Sequence, residues 1–313
     1  MTKYFDKDKL SFMDPHVKEQ GGHMVMTNVF KETQKKYLNI DTRFQEDYQS
    51  EKYADFTINL PQSINNVQSM KVLNIEIPAS MYNFSLQRKN TFFAVENSAN
   101  QKILIVIEDG NYTLASLAEE IERQFRMDKN GIDDIGVTID ESTHKILFNY
   151  STENIQGTKK YILHFDVDEL GNMDATHFKS KLGWLLGFRD PSYIILESGY
   201  IISETFVNLH SLRYLYLNID EYSQSNANSF ITPTSISYTN PHAIARVVID
   251  PNTHSFGTVI CGNIANGTLL TNRRTYKGRT DIQRLSIQLL DECGNKIDLN
   301  QMDFSFALEI EYV

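Results

Sequence analysis

The chain has 313 residues, a formal net charge of −10, 41% hydrophobic and 11% aromatic residues, and two cysteines. A chain of this length buries a sizeable core, arranged as one large β fold or two smaller ones. The acidic balance argues against sequence-independent nucleic-acid binding, which rests on Lys and Arg neutralising phosphates. No apolar run approaches the ~20 residues of a membrane-spanning helix, and Cys261 and Cys293 are too few for a disulfide framework.

The opening MTKYFDKDKL lacks the apolar stretch of a secretory signal, so the sequons at Asn83, Asn111, Asn149 and Asn266 are read as unmodified asparagines. Residues 1–36 mix charge, Gly21-Gly22 and scattered methionines without a period of 2 or 3.6. They are expected to form an extended arm with no core of its own, ordering on a partner or fraying. From Phe56 the pattern changes to short β-branched and aromatic runs cut by turn residues. Phe56 to Leu60 alternates apolar and polar and is expected to stop at Pro61. Val67 to Pro78 is a second strand, and Thr91–Glu96 with Lys102–Glu108 form a hairpin pair. Asp109-Gly110-Asn111-Tyr112-Thr113 then leads into an amphipathic helix from Leu114 to Met127, in which Leu114, Leu117, Ile121 and Phe125 share one face.

Strands follow at Ile135–Asp140, Lys145–Tyr150 and Tyr161–Val167, with Glu141 to His144 as a turn. Phe178 to Phe188 reads as a short apolar helix or tight turn, and Trp184, the only tryptophan, as a core plug. Tyr193–Leu196, Leu212–Ile219, Ala243–Ile249, Ile282–Asp291 and Phe304–Val313 complete the strands, and Ser223–Ser237 is a polar loop. No repeat period of ~20–50 residues is present, which disfavours a solenoid or propeller.

Chemistry is hard to locate in this pattern. The eight histidines are dispersed, with none at the i, i+4 spacing that shares a metal on a helix. His164 lies in an apolar strand and reads as a satisfied interior residue. Asp166 to Asp174 begins like a calcium loop but has Leu170 at a ligand position and His177 where the bidentate Glu belongs. Gly262 to Gly267 matches no phosphate-binding loop and reads as a flexible loop. No nucleophile elbow occurs. No catalytic residue, cofactor, metal or small-molecule substrate is therefore expected. Against the acidic background, Arg273, Arg274, Lys277 and Arg279, interleaved with Tyr276, form a basic cluster that either docks an acidic partner or is a solvated loop.

The strings Tyr37-Leu38-Asn39-Ile40-Asp41-Thr42-Arg43-Phe44, Asp55 to Pro61, Val67 to Val72 and Ile75-Glu76-Ile77-Pro78 resemble the opening of minor capsid proteins of nucleocytoplasmic large DNA viruses. The resemblance continues through Asp109 to Thr113, Leu182-Gly183-Trp184-Leu185-Leu186-Gly187-Phe188, Tyr214 to Asp220, Leu289 to Asn295 and Asp303 to Phe306, covering about Tyr37 to Val313. It implies a virion shell component, made in infected cytoplasm, that binds capsomers of the major capsid protein and other minor capsid proteins. With the strand pattern, it leads us to expect a mainly β, jelly-roll-like sandwich with a small α+β insertion. The expected division is an arm at 1–36, a body of one or two sandwiches at 37–108 and 189–313, and a helix-plus-hairpin insertion at 109–188. The expected contact residues are Tyr48 and Tyr53 in an aromatic loop, and Arg273, Arg274, Tyr276, Lys277 and Arg279 in the basic segment. The alternatives are a vertex or penton protein of the same shell, assembling by fivefold symmetry, and a β-sandwich module that binds glycan or a receptor.

Overall fold

The twelve residues Val67–Pro78 show how the sequence period becomes a sandwich: in the computed structural model, Val67, Val72, Ile75 and Ile77 are fully buried while Glu76 and Asn74 between them are not. The structure describes residues 32–45, 54–127, 132, 134–150, 160–196, 199–210, 212–223, 230 and 241–313, and the backbone pairing of 16–20 with 23–27. Strands β1 (His16–Gln20) and β2 (His23–Thr27) pair with each other, Gln20 opposite His23. The body follows with β3 (Gln34–Asp41), β4 (Asp55–Ile64) and β5 (Val67–Pro78). Next come β6 (Phe92–Glu96), β7 (Lys102–Val106), helix α1 (Leu114–Phe125), β8 (Ile135–Ile139), β9 (Ile146–Tyr150) and β10 (Lys160–His164). A short helix α2 (Leu182–Leu185) leads to β11 (Ser192–Leu196) and β12 (Tyr200–Ile202). The chain closes with β13 (Tyr214–Asp220), β14 (Ala243–Val248), β15 (Val259–Asn263), β16 (Leu269–Thr271), β17 (Arg274–Thr275), β18 (Ile282–Leu290) and β19 (Ser305–Tyr312).

Strand order identifies the architecture. One sheet runs β15-β5-β19-β3, with β17 also on β5, and the other runs β16-β14-β13-β18-β4, all antiparallel. The chain crosses between the sheets from β3 to β4 to β5, and again through β14, β15, β16, β17, β18 and β19. This is the order of a jelly roll, with four long strands per layer and β16 and β17 as short additions. Their inner faces share one core, in which Met70, Ile75, Leu215, Leu217, Ile219, Leu285, Ile287, Leu308 and Ile310 have no exposed surface. Each such side chain contributes about 1.5–3 kcal/mol of burial.

Between β5 and β13 sits a second core. The sheets β11-β10-β6-β7 and β12-β9-β8 enclose Leu117, Ile121 and Phe125 of α1, and none of their strands pairs with the jelly roll. Phe93, Phe125, Phe148, Phe165 and Phe188 pack ring against ring, from 4.8 Å for the stacked Phe165–Phe188 pair to 6.3 Å for Phe93–Phe148. By strand pairing this inserted unit takes in β6, β7, β11 and β12, so it extends beyond 109–188 on both sides. β6 and β7 are short apolar runs like those of the sandwich, and the ladder of β6 with β10 sets them apart from it. The body likewise begins at Gln34 instead of residue 37, through the β3–β19 ladder.

Other departures have local causes. β4 continues through Pro61 to Ile64, because β4 is an edge strand and its ladder with β18 shifts register between Ile282 and Arg284, so the missing N–H costs no sheet bond. Gly262 to Gly267 is not a loose loop: Gly262 lies in β15 opposite Ile75, and Asn263 and Asn266 cross-bond the turn. Trp184 is half-buried, not a core plug; the Arg189 guanidinium lies 3.9 Å from its ring centre, a cation–π contact. Two turns share the sequence Asp-Glu-x-Gly-Asn, at Asp168–Asn172 and Asp291–Asn295. In each, the Asp carboxylate accepts from the backbone N–H of the Asn at 2.8 Å, and the Gly has positive φ, +83° at Gly171 and +86° at Gly294.

Candidate interaction surfaces

The basic segment is split by the pleat of β17 and the turn after it. Arg274 points inward with no exposed side-chain surface. Its Nη1 donates to the Ile219 carbonyl at 2.7 Å and to Glu221 Oε2 at 2.6 Å, and its Nη2 to the His242 carbonyl at 2.7 Å. It thereby ties the end of β13 to the start of β14. Tyr276 also turns inward, 6% exposed, and burial pushes its phenol well above the usual range. Arg274 and Tyr276 are therefore corrected from contact residues to core residues: a neutral environment accepts the guanidinium because Glu221 and two carbonyls surround it.

Arg273 points outward but is engaged. Its guanidinium bonds Glu311 and lies 3.2 Å from Glu309, while Lys35 reaches Glu309 at 3.0 Å and Glu311 at 3.5 Å. Burial raises the Glu311 pKa, but hydrogen bonds from Ser69 and Arg273 outweigh it, and the net shift is downward. This network joins β3, β17 and β19 across the sheet surface. Lys277 and Arg279 remain exposed, without an ion pair among the described residues. Tyr48 and Tyr53 lie outside the described residues.

An open cleft of ≈ 890 Å³ runs between the edge strands β3 and β4, lined by Leu38, Ile40, Phe44, Phe56 and Ile58 among others. Its carboxylates are already paired, Asp41 with Arg43 and Asp55 with Lys296. The hydrogen bond from Arg43 holds the Asp41 carboxyl below its ordinary range. Among the described residues no group of three or more His, Cys, Asp or Glu is arranged to hold a metal. In the calcium-like loop the cation is internal: the Lys181 ammonium donates to the Val167 carbonyl at 2.8 Å, to the Asp174 carboxylate at 2.8 Å and to the Asp174 carbonyl. Hydrogen bonds from Lys181 and Thr176 hold the Asp174 carboxyl far below its usual range. His164 lies opposite Ala94 on the face of its sheet away from the second core, largely buried, with Nε2 3.0 Å from Glu96.

The remaining surface feature is apolar and was not singled out from the sequence. Ile194 and Leu196 on β11 and Tyr200 and Ile202 on β12 are 52%, 60%, 67% and 45% exposed. Alternation alone marks β11 as a strand with two apolar faces, since Tyr193 and Ile195 face the core. Its two-sided apolarity is legible in the sequence, but its place at a sheet edge is not. No helix among the described residues is long and apolar enough to cross a membrane.

No protein-family model and no curated protein matches the chain. Among solved structures it is similar to the mavirus penton protein, at 11% sequence identity and a TM-score of 0.45, over 90% of this chain and 100% of that one. It is also similar to a chain in the cryo-EM structure of the Sputnik virophage, at 13% identity and a TM-score of 0.39, over 89% of this chain and 98% of that one.

Proposed function

We propose that the protein is a structural component of an icosahedral viral capsid, assembled in the cytoplasm of the infected cell, where it binds and cements capsomers of the major capsid protein. The observation that carries this reading is the jelly roll itself, a two-sheet core in which the ion-pair clusters of Arg273 and Arg274 hold strands together. Arg274, Lys181 and Arg273 each serve the fold, and Lys277 and Arg279 are left outside it. The sequence resemblance across Tyr37 to Val313 supports the same role. In this reading Lys277 and Arg279 meet acidic side chains on a capsomer, and the segment ahead of β3 adds contact surface.

A second reading, a vertex protein that forms fivefold rings, is favoured by the presence of one jelly roll per chain. Copies of a single sandwich can close a ring through one repeated heterologous interface. Sedimentation of the full chain, alone and with trimers of the major capsid protein, tests both. Co-sedimentation that weakens on removal of residues 1–31, a cut that spares β3, supports the cementing role. A pentamer formed without capsomers supports the vertex role, and a monomer indifferent to capsomers removes both.

A further inference from the structure

Among the described residues, the edge strands of more than three residues in the sheets of three or more strands are blunted, with one exception. β3 carries Lys35 and Lys36, β4 carries Pro61 and a register shift, and β7 begins with Lys102. On β8 the Val137 N–H is capped by Glu122, and on β15 the Cys261 carbonyl is capped by the Asn266 amide. Such devices keep strand edges from pairing with other chains. The edge strand β11, Ser-Tyr-Ile-Ile-Leu, has none of them: no charge, no proline within it, no bulge in its ladder with β10. Its outward side chains Ile194 and Leu196 are more than half exposed, and β12 exposes Tyr200 and Ile202.

We infer that β11 pairs antiparallel with β11 of a second copy of this chain, centred on Ile194. The hydrogen-bond phase of the strand selects this register. The Phe165 N–H bonds the Pro191 carbonyl, which fixes Tyr193 and Ile195 as the residues bonded to β10. The N–H and C=O groups of Ser192 and Ile194 and the N–H of Leu196 therefore point to the free edge, while the Leu196 carbonyl accepts from the Gly199 N–H. In a twofold pairing about Ile194, the two Ile194 residues exchange a pair of bonds, and each Leu196 N–H meets the Ser192 carbonyl of the other copy. Side chains agree with the same register. Ile162 lies opposite Ile194 within the sheet, so the pairing sets four isoleucines in one row across the joined face, ending at Glu96 on either side. A second copy is the fitting occupant because the strand is self-complementary in this register. It is also uncharged in a chain of net charge −10, so two copies meet here without like charges opposed. The inference does not depend on the capsid reading, and an isologous pair is distinct from a fivefold ring.

The test is the mass of the full chain by sedimentation equilibrium, together with disulfide trapping in a Cys261→Ser background, since Cys261 is exposed. The wild type is expected to be a dimer, and Ile194→Lys, which opposes two ammonium groups, to raise the dissociation constant at least about 100-fold. Ile194→Cys is expected to form a disulfide-linked dimer, because directly paired Cα atoms lie about 5.5 Å apart, within disulfide reach. Ser192→Cys is expected not to, because four residues of offset place its two copies about 14 Å apart. A wild type that stays monomeric overturns the inference. So does cross-linking through Ser192→Cys in place of Ile194→Cys, or an Ile194→Lys variant that leaves the mass unchanged but loses capsomer binding, which assigns the edge to another protein.

Discussion

Replacing Arg274 with alanine removes a guanidinium that has no exposed surface and three hydrogen bonds of 2.6–2.7 Å. Glu221 is then left as an unpaired carboxylate in the core, and the Ile219 and His242 carbonyls each lose a donor. Breaking a buried ion pair from one side costs about 3–5 kcal/mol, and each orphaned acceptor adds on the order of 1 kcal/mol. A total of about 5–7 kcal/mol is a large part of the ~5–15 kcal/mol that holds a typical protein folded. Urea unfolding followed by circular dichroism is expected to show this loss for Arg274→Ala and a comparable one for Glu221→Ala. The double variant Arg274→Met with Glu221→Leu removes both charges and is expected to lose far less stability than the sum of the single losses. A cost below about 1 kcal/mol for Arg274→Ala, or strict additivity in the double variant, refutes the assignment of this pair as the clamp between β13 and β14.

Three further outcomes follow from the same structure. Burial holds the Glu292 pKa above its ordinary value, so the stability linked to this group is present at low pH and lost as pH rises through the carboxylate range. Glu292→Gln is expected to be more stable than wild type near neutrality and equal to it in acid, and equal stabilities at neutral pH contradict this. Lys181→Met removes the ammonium that holds the Asp174 carboxyl down, so NMR titration should find that carboxyl moved up toward its ordinary range; an unmoved Asp174 refutes the internal-cation account. A Cβ on Gly183 falls 2.2 Å from Phe165 Cγ, so Gly183→Ala should destabilise the inserted unit by at least the ~1–3 kcal/mol of core overpacking. An unchanged near-ultraviolet aromatic signal and urea midpoint contradict that packing.

Much of the fold was legible because local period and tertiary burial agree. Val67–Pro78 forms β5 with the expected ends, and the Thr113 cap and the 114–125 periodicity form α1, its capping box completed by Ser116. What local pattern cannot carry is partnership. β6 and β7 read as sandwich strands until β10 claims them, and β12, β16 and β17 are too short to show a period. The basic segment illustrates the same limit at the level of function. Alternation along Arg273, Arg274, Thr275 and Tyr276 implies two faces, but which face is core is decided by Glu221, more than fifty residues away in sequence. Lys277 and Arg279, beyond the strand, are the members that stay on the surface. The exposed β11 edge went unnoticed because a strand apolar on both faces looks the same in sequence whether it lies at the centre of a sheet or at its rim.

The most direct test of the central claim is cross-linking of intact particles purified from infected cells, with a lysine-reactive reagent and peptide mass spectrometry. The account predicts that the chain co-purifies with the capsid and that Lys277 is linked to the major capsid protein. A chain confined to the soluble fraction, absent from purified particles, contradicts it.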